Sequence, residues 1–190
     1  MGEKLSVSLH EDTSGVQCLS FYRGDLGLPG TAIRPHSSCL FGEAICAEDC
    51  DCRTQLQGAF REIHRRGRGA VIYLFQEGRG AGLLYKIRGL EIQRVKGINS
   101  FAAYKAMGLP PDLRNYSMTK TALADIGVGD TVILMSNSPT KRAALEEMGY
   151  AVVDQLQLPC RISRHALPEL LMKKEEGNHK VDFSKITFFD

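Results

Sequence analysis

Alternating apolar and polar residues open the chain and predict two antiparallel strands, over residues 4–9 and 16–22. Residues 24–30 are rich in glycine and proline, which is typical of a turn, and a third strand is expected to run into Arg34. The chain therefore begins with an expected run of three strands.

Helical and strand periods then alternate, which indicates a mixed α/β (α+β) class with a mixed sheet flanked by helices. Helices are expected over residues 53–67, 82–95, 97–108, 117–126, 139–148 and 168–174, and further strands over 70–75, 131–135 and 150–156. In the second helix, Leu83, Ile87 and Leu90 share one face. Ser117 is the predicted cap of the fourth helix. The last strand–helix–strand unit is expected to be parallel and right-handed.

The bulk composition restricts the possible classes of function. At 190 residues and 21.0 kDa the chain fits one domain, residues 1–190, in which the weakly patterned residues 158–190 form a partly helical tail with a mobile end. No apolar run approaches the roughly 18 to 20 residues that a bilayer requires, so no membrane partner is expected. A net charge of +2 is too small to indicate nucleic acid binding. Most of the clustered arginines at positions 61–68 are typical of a solvated helix face.

Three cysteines carry the strongest chemical signal. Cys39, Cys50 and Cys52 stand in the run CLFGEAICAEDCDC, a C-x10-C-x-C spacing that can hold one metal ion. Three thiolates leave a tetrahedral Zn²⁺ one open position for water, which indicates a catalytic site of a hydrolase. Cys46 lies in the same loop and could instead close a structural four-cysteine site. The crowding of four of the six cysteines, without an apolar leader, indicates a reducing cytoplasm.

A glycine-rich segment, QEGRGAG, joins a predicted strand to a predicted helix. Glycines let backbone amides approach a ligand, and the N-terminus of a helix carries partial positive charge. The segment lacks the Lys-Ser/Thr pair of a P-loop. Gln76, Glu77 and Arg79 add groups that can bind a guanine-like edge or a phosphate. The alternative is a local surface salt bridge between Glu77 and Arg79, worth about 0 to 1 kcal/mol.

Four stretches in order, SSCLFGEAICAEDCDC, GRGAVIYLFQEGRGAGLLYKIRGL, GLPPDLRNY and SNSPTK, resemble GTP cyclohydrolase II over about residues 24–158. The resemblance implies the fold of that family and a cytosolic homodimer. It also implies a zinc-dependent, Mg²⁺-assisted opening of the imidazole ring of GTP at C8. Formate and pyrophosphate would be released, leaving a pyrimidine ribosyl phosphate for riboflavin synthesis.

The resemblance also assigns expected roles to residues of this chain. It places one Zn²⁺ per chain on Cys39, Cys50 and Cys52, with no ligand at Cys46. Contacts to guanine and phosphate are expected from Gln55, Gln76, Glu77, Gly78 and Arg79, and contacts near the triphosphate from Arg34, Ser136 and Lys141.

Two further residues match the family's reacting groups. Asp112 matches an acid/base aspartate, and Arg114 matches an arginine that attacks or grips the α-phosphate. Gripping is favoured because a guanidinium, with a pKa above about 12, is a poor nucleophile but a good phosphate clamp.

Three positions depart from the family pattern. The tyrosine expected two residues after the KIR element is Leu90 here, which lacks a hydroxyl for the deformylation step; Tyr104 or Tyr116 could supply one from a neighbouring segment. Asp49 replaces an arginine beside the cysteines, and Ser138 replaces one of two paired asparagines.

Two rival functions stay open on the sequence. One is a diverged cyclohydrolase of secondary metabolism or nucleobase catabolism that stops at the formamide or opens the ring of another nucleotide, and Leu90 favours it. The other is an inactive nucleotide-binding or zinc-binding paralogue, against which the retained cysteines, Asp112 and Arg114 argue.

Overall fold

One six-stranded mixed sheet organises the chain in the computed structural model, which describes residues 4–189. Its strands are β1 (Ser6–Glu11), β2 (Gln17–Arg23), β3 (Thr31–Ser37), β4 (Gly69–Leu74), β5 (Thr131–Leu134) and β6 (Ala151–Gln155). Their order across the sheet is β1-β2-β4-β3-β5-β6. The pairs β1–β2 and β2–β4 are antiparallel, and the other three are parallel.

The six predicted helices are present, and a short helix that was not predicted, α1 (Leu40–Glu43), lies in the cysteine loop. The others are α2 (Cys52–Arg66), α3 (Leu83–Lys96), α4 (Ser100–Ala106), α5 (Ser117–Asp125), α6 (Pro139–Glu147) and α7 (Leu167–Glu175). Gly67 ends α2 in a left-handed conformation with φ of 72°, as the glycine signal predicted. No helix within the described range 4–189 is long and apolar enough to cross a bilayer.

Alternation along β4 gives the sheet two buried faces. Ala70, Ile72 and Leu74 pack in one core cluster with residues of α5, whereas Val71 packs in another with Ala59 and Ile63 of α2. Helices therefore cover both sides of the sheet, and the mixed α/β class is confirmed.

The carboxyl ends of the parallel strands β3, β4 and β5 lie side by side. The loops that leave them begin at Ser38, Phe75 and Met135 and carry most of the residues expected to act on a ligand. Ligands bind in open α/β sheets at this edge, outside the carboxyl ends of the strands.

The C-terminal segment, residues 158–189, is more ordered than its weak pattern predicted. Two strands, β7 (Cys160–Ser163) and β8 (Ile186–Phe189), pair in parallel around α7, and Ile162 and Leu170 lie in their own small core. No strand was expected here, but β8 runs to Phe189; Asp190, the last residue of the expected mobile end, lies outside the described residues. Each strand is only four residues long, too short for a clear alternation.

One local prediction needs correction. Ser117 is the first residue of α5 and not its cap: its N–H donates to Asn115 Oδ1 at 2.7 Å, because Asn115 forms the turn before the helix. The shared face of α3 is largely exposed within the chain, since Leu83 and Ile87 are 42% and 50% exposed. Gly89 is the buried residue of α3 and lies beside Tyr104 of α4.

Candidate active site

Three cysteine sulfurs meet beyond the end of β3. The Sγ atoms of Cys39, Cys50 and Cys52 all lie within 4.8 Å of one another, and those of Cys39 and Cys50 are 3.9 Å apart. Two thiolates on one tetrahedral Zn²⁺, with bonds of about 2.3 Å, stand about 3.8 Å apart. The donor set and its spacing therefore fit one zinc ion.

A glycine makes room for these sulfurs. A Cβ at Gly42 would lie 2.7 Å from Cys50 Sγ and 3.4 Å from Cys39 Sγ. Hydrogen bonds from the thiols of Cys50 and Cys52 lower the pKa of Cys39, so a thiolate forms readily in the cluster. Cys46 is exposed and lies outside the cluster, which argues against the closed four-cysteine site.

A buried polar chain supports the metal loop from below. Arg34 Nε donates to His36 Nδ1 at 3.0 Å, so Nε2 of the neutral ring carries the hydrogen that it donates to Glu43 Oε1 at 2.7 Å. Tyr73 donates to the other oxygen of Glu43 at 2.5 Å. Burial and the charge of Arg34 hold the pKa of His36 well below its usual value. His36 is therefore an orienting group, and it fixes α1 behind Cys39.

A cavity of about 550 Å³ opens beside the cysteines. Glu77 forms part of its wall, and its carboxylate accepts hydrogen bonds from the backbone N–H of Leu40 at 2.6 Å and of Gly78 at 3.1 Å. Gln76 also lines the cavity, but both ends of its amide bind the backbone of Asn115, at 2.5 and 2.6 Å. Gln76 therefore ties two loops together.

Arg79 takes an unusual position in the glycine segment, with φ of 54°. Its guanidinium lies 4.5 Å from the centre of the Phe101 ring and pairs with Glu169 of α7 at 2.7 Å. A local Glu77–Arg79 salt bridge, the alternative considered above, does not form. Glu169 could not be anticipated, because it lies 90 residues away in the weakly patterned segment.

Asp112 and Arg114 form a two-point ion pair. Arg114 Nε donates to Asp112 Oδ1 at 2.9 Å, and Nη2 donates to Oδ2 at 2.5 Å. Burial alone would raise the pKa of Asp112, but the hydrogen bonds and charge of Arg114 outweigh it and lower that pKa. Arg114 lines both the cavity beside the cysteines and a smaller neighbour, whereas Asp112 lines neither of them. Asp112 is thus placed to hold Arg114 in position.

The smaller cavity, of about 100 Å³, is rich in buried cations. Arg34 donates to Met135 O at 2.7 Å, and Lys141 Nζ donates to Pro35 O at 2.7 Å. Both side chains belong to residues only 5% and 6% exposed, and neither forms a salt bridge within residues 4–189. Burial and the charges of Arg34 and Arg114 hold the pKa of Lys141 well below its usual value. Buried charges are normally paired, so this cavity is suited to an anion.

Not every predicted residue lies where the ligand contacts were expected. Ser136 lines the smaller cavity, and its Oγ accepts from the N–H of Ser138 at 3.2 Å. Gln55 also lines that cavity and donates to Cys160 Sγ at 3.2 Å, away from Glu77. Tyr104 lines the larger cavity with Leu90, and its hydroxyl donates to Gly78 O at 2.9 Å. The hydroxyl of Tyr104 is therefore near the glycine segment but already bonded to it.

Comparison with known proteins identifies the family of the chain. A family model described as GTP cyclohydrolase II matches residues 2–157. The chain belongs to the GTP cyclohydrolase II family. It is 44% identical to the GTP cyclohydrolase-2 of Shewanella sp. (strain W3-18-1) over 78% of this chain and 72% of the relative. It is 40% identical to that of Shewanella baltica (strain OS155) over 95% of this chain and 87% of the relative.

A third relative is longer. The riboflavin biosynthesis protein RibBA of Bacillus velezensis is 35% identical over 90% of this chain, which spans 43% of that protein's length. The GTP cyclohydrolase II family is zinc-dependent, and the three-cysteine cluster provides the thiolates for that ion.

Proposed function

We propose that the chain opens the imidazole ring of GTP at C8 by hydrolysis, with release of pyrophosphate. The observation that carries the proposal is the position of the three-cysteine cluster between a nucleotide-sized cavity and a small cationic one. Bound zinc would polarise the reacting carbon and activate water there. The product would be a pyrimidine ribosyl phosphate, formed with or without loss of formate.

We propose that the base lies in the larger cavity. Glu77 and the N–H and C=O groups around Gly78 present hydrogen-bonding atoms near the cysteines, and Lys86 brings positive charge to the same wall. Gln76 supports this wall by holding Asn115, so its role is positioning and not direct contact with the base. Arg79 can contact the substrate only if it leaves or shares its bond with Glu169.

The phosphate end is assigned to the smaller cavity. Arg34, Ser136 and Lys141 line it, and an anion there would pair with Arg34 and favour the protonated form of Lys141, neither of which has a salt bridge within residues 4–189. Arg114 reaches both cavities and so can grip the phosphate nearest the ribose, with Mg²⁺ expected on the rest of the triphosphate. Gln55 lies on this side and would bind phosphate oxygens instead of guanine.

We propose that the main role of Asp112 is to hold the guanidinium of Arg114 in position. Its carboxylate holds the guanidinium at two points and stays ionised because its pKa is lowered. A proton-transfer role for Asp112 requires the pair to open when phosphate takes over Arg114.

We also propose a homodimer and a cytoplasmic location. Several large apolar side chains are exposed on one helix, α3, and would be covered by a second copy: Leu83, Leu84, Ile87 and Val95. All six cysteines are free, as suits a reducing compartment. The chain would act as one catalytic domain with no nucleic acid or membrane partner.

Incubation of the zinc-loaded protein with GTP and Mg²⁺ tests the function. Mass spectrometry should find a ring-opened pyrimidine nucleotide, and an enzymatic assay should find one pyrophosphate per GTP consumed. Intact GTP would contradict the proposal. Turnover of another purine nucleotide in its place would favour the diverged cyclohydrolase, the alternative that Leu90 in the cavity wall supports.

A further inference from the structure

The C-terminal segment, residues 158–189, packs against the site although it lies beyond the residues that the family model matches. Glu169 reaches Arg79, and the N–H of Lys180 donates to Asn137 O at 3.2 Å in the loop after β5. Lys173 Nζ lies 2.6 Å from Oδ1 of Asp51, the residue between Cys50 and Cys52 in the sequence. The segment therefore contacts each side of the site.

Lys173 enters the cationic cavity from this segment. Its side chain is 17% exposed and lines the cavity together with Arg34, Lys141 and His179. Burial, followed by the positive charges of Lys173 and two neighbours, lowers the pKa of His179 to about 3, so the imidazole adds a neutral hydrogen-bonding wall. The amine of Lys173 is the cation that the segment contributes.

Two basic residues of this cavity have no salt bridge to any residue that the structure describes. Arg114 is paired with Asp112 and Lys173 with Asp51, whereas no carboxylate within the described range 4–189 forms a salt bridge with Arg34 or Lys141, and Asp51 and Glu43 act on Arg34 only through longer-range charge. A volume of about 100 Å³ equals about three water molecules at some 30 Å³ each, which suits a phosphoryl group and excludes a nucleoside. An ammonium on the wall of such a cavity can donate to phosphate while keeping its contact with Asp51, because it has three N–H groups.

We propose that Lys173 is a phosphate-binding residue, so that the C-terminal segment completes the site for the terminal phosphate of the substrate. This inference rests on the proposed function for the identity of the substrate, but the anion site itself does not depend on it. The ligand class is the terminal phosphoryl group of a linear polyphosphate, whether free or attached to a nucleoside.

Binding of inorganic tripolyphosphate to the full zinc-loaded chain, measured by isothermal titration calorimetry, tests the proposal. Lys173→Met removes the charge and keeps the length of the side chain, and its dissociation constant should rise about tenfold to a hundredfold, the usual effect of losing a charged hydrogen bond. Lys174→Met is the matched control, because Lys174 is the exposed next residue and should leave binding unchanged. Guanosine affinity and zinc content should not change in either variant.

A second pair of variants separates phosphate binding from mere neutralisation of Asp51. Asp51→Asn should bind tripolyphosphate as tightly as the parent or more tightly, because it releases Lys173 and removes a nearby carboxylate. Adding Lys173→Met to Asp51→Asn should again weaken binding about tenfold or more. The double variant also leaves no unpaired buried carboxylate, so it tests the proposal even if Lys173→Met alone fails to fold.

The proposal is wrong if the parent protein does not bind tripolyphosphate, or if Lys173→Met or the double variant binds it as tightly as the parent. It is also wrong if Lys173→Met and the double variant both lose zinc, because the weaker binding would then follow from loss of the metal. If the parent binds tripolyphosphate through Lys173 but leaves GTP intact, the proposed GTP reaction fails and the polyphosphate site stands. If GTP is opened with unchanged KM in Lys173→Met, the reaction stands and the role of Lys173 fails.

Discussion

Replacing Gly42 by alanine should weaken zinc binding without unfolding the protein. An added Cβ would lie 2.7 Å from Cys50 Sγ, about 1 Å closer than an ordinary nonbonded contact of some 3.5 to 4.0 Å. In the metal-free protein the thiol is the free end of a short side chain and can rotate away. With zinc bound it cannot, because all three sulfurs must point at one ion.

Gly42→Ala should therefore affect the stability of the metal-free protein and that of the zinc-bound protein differently. Alanine is a better helix former than glycine by about 1 kcal/mol, so Gly42→Ala in α1 should leave metal-free stability unchanged or slightly raised. Zinc affinity should fall by about tenfold to a hundredfold, as for other changes that disturb metal ligands from outside the coordination shell. A hundredfold loss removes about 2.7 kcal/mol of zinc-linked stabilisation when zinc is in large excess.

Competition with a chromophoric chelator gives the zinc dissociation constant, and thermal unfolding with and without EDTA gives the linked stability. Gly89→Ala is the matched control, since it is also a helical glycine but its added Cβ would meet only ordinary contacts at 3.6 Å. If Gly42→Ala binds zinc as tightly as the parent, the sulfurs of Cys39, Cys50 and Cys52 do not all bind the ion from the positions they hold beside Gly42.

Four other changes test separate parts of the site. Cys46→Ala should keep one zinc per chain while Cys39→Ala loses it, by metal analysis; the reverse would refute the ligand assignment. Arg114→Ala should abolish pyrophosphate release with zinc retained, and unchanged release would refute the phosphate clamp. Leu90→Tyr should raise the formate released per GTP, because a positioned acid or base speeds such a step by about 10² to 10⁴-fold. The parent should accumulate a formylated product, and stoichiometric formate from the parent would contradict this. Burial lowers the pKa of Lys141 and a bound anion raises it, so the protein should take up a proton when it binds tripolyphosphate, and binding should weaken as pH rises. Calorimetry in buffers of different ionisation enthalpy measures this proton uptake, and Lys141→Met should reduce it.

The main sheet and most helices could be predicted because their signals are local. The helix ending at Gly67 shows this, since apolar spacing and one left-handed glycine define it within a single stretch of sequence. Strands β7 and β8 could not be predicted, because four residues give too few positions for a period of two.

The cysteine cluster could also be predicted from the sequence, because its three cysteines lie within fourteen consecutive residues. Glu169 and Lys173 could not, because each meets its partner across 90 and 122 residues of sequence, and charged residues on a short polar helix are usually solvated. Gln55 shows a related failure. Its place in the family pattern is clear, but the bond to Cys160 that directs it into the cationic cavity comes from the C-terminal segment.

The charges of the site also favour one direction for the proposed nucleotide. The larger cavity is lined by the three cysteines and Glu77, with Arg79 and Lys86 as cations, whereas the smaller one is lined by Arg34, Lys141 and Lys173, with Asp51 as the carboxylate. A polyphosphate placed beside Glu77 and thiolates would meet like charges in a partly buried space, where repulsion is stronger than in water. The opposite orientation pairs phosphate with the buried cations and brings the uncharged purine to the cysteines. Arg114 lines both cavities, so its guanidinium should lie beside the bond that joins the ribose in one cavity to the phosphate in the other. At that position it can bind the phosphate nearest the ribose.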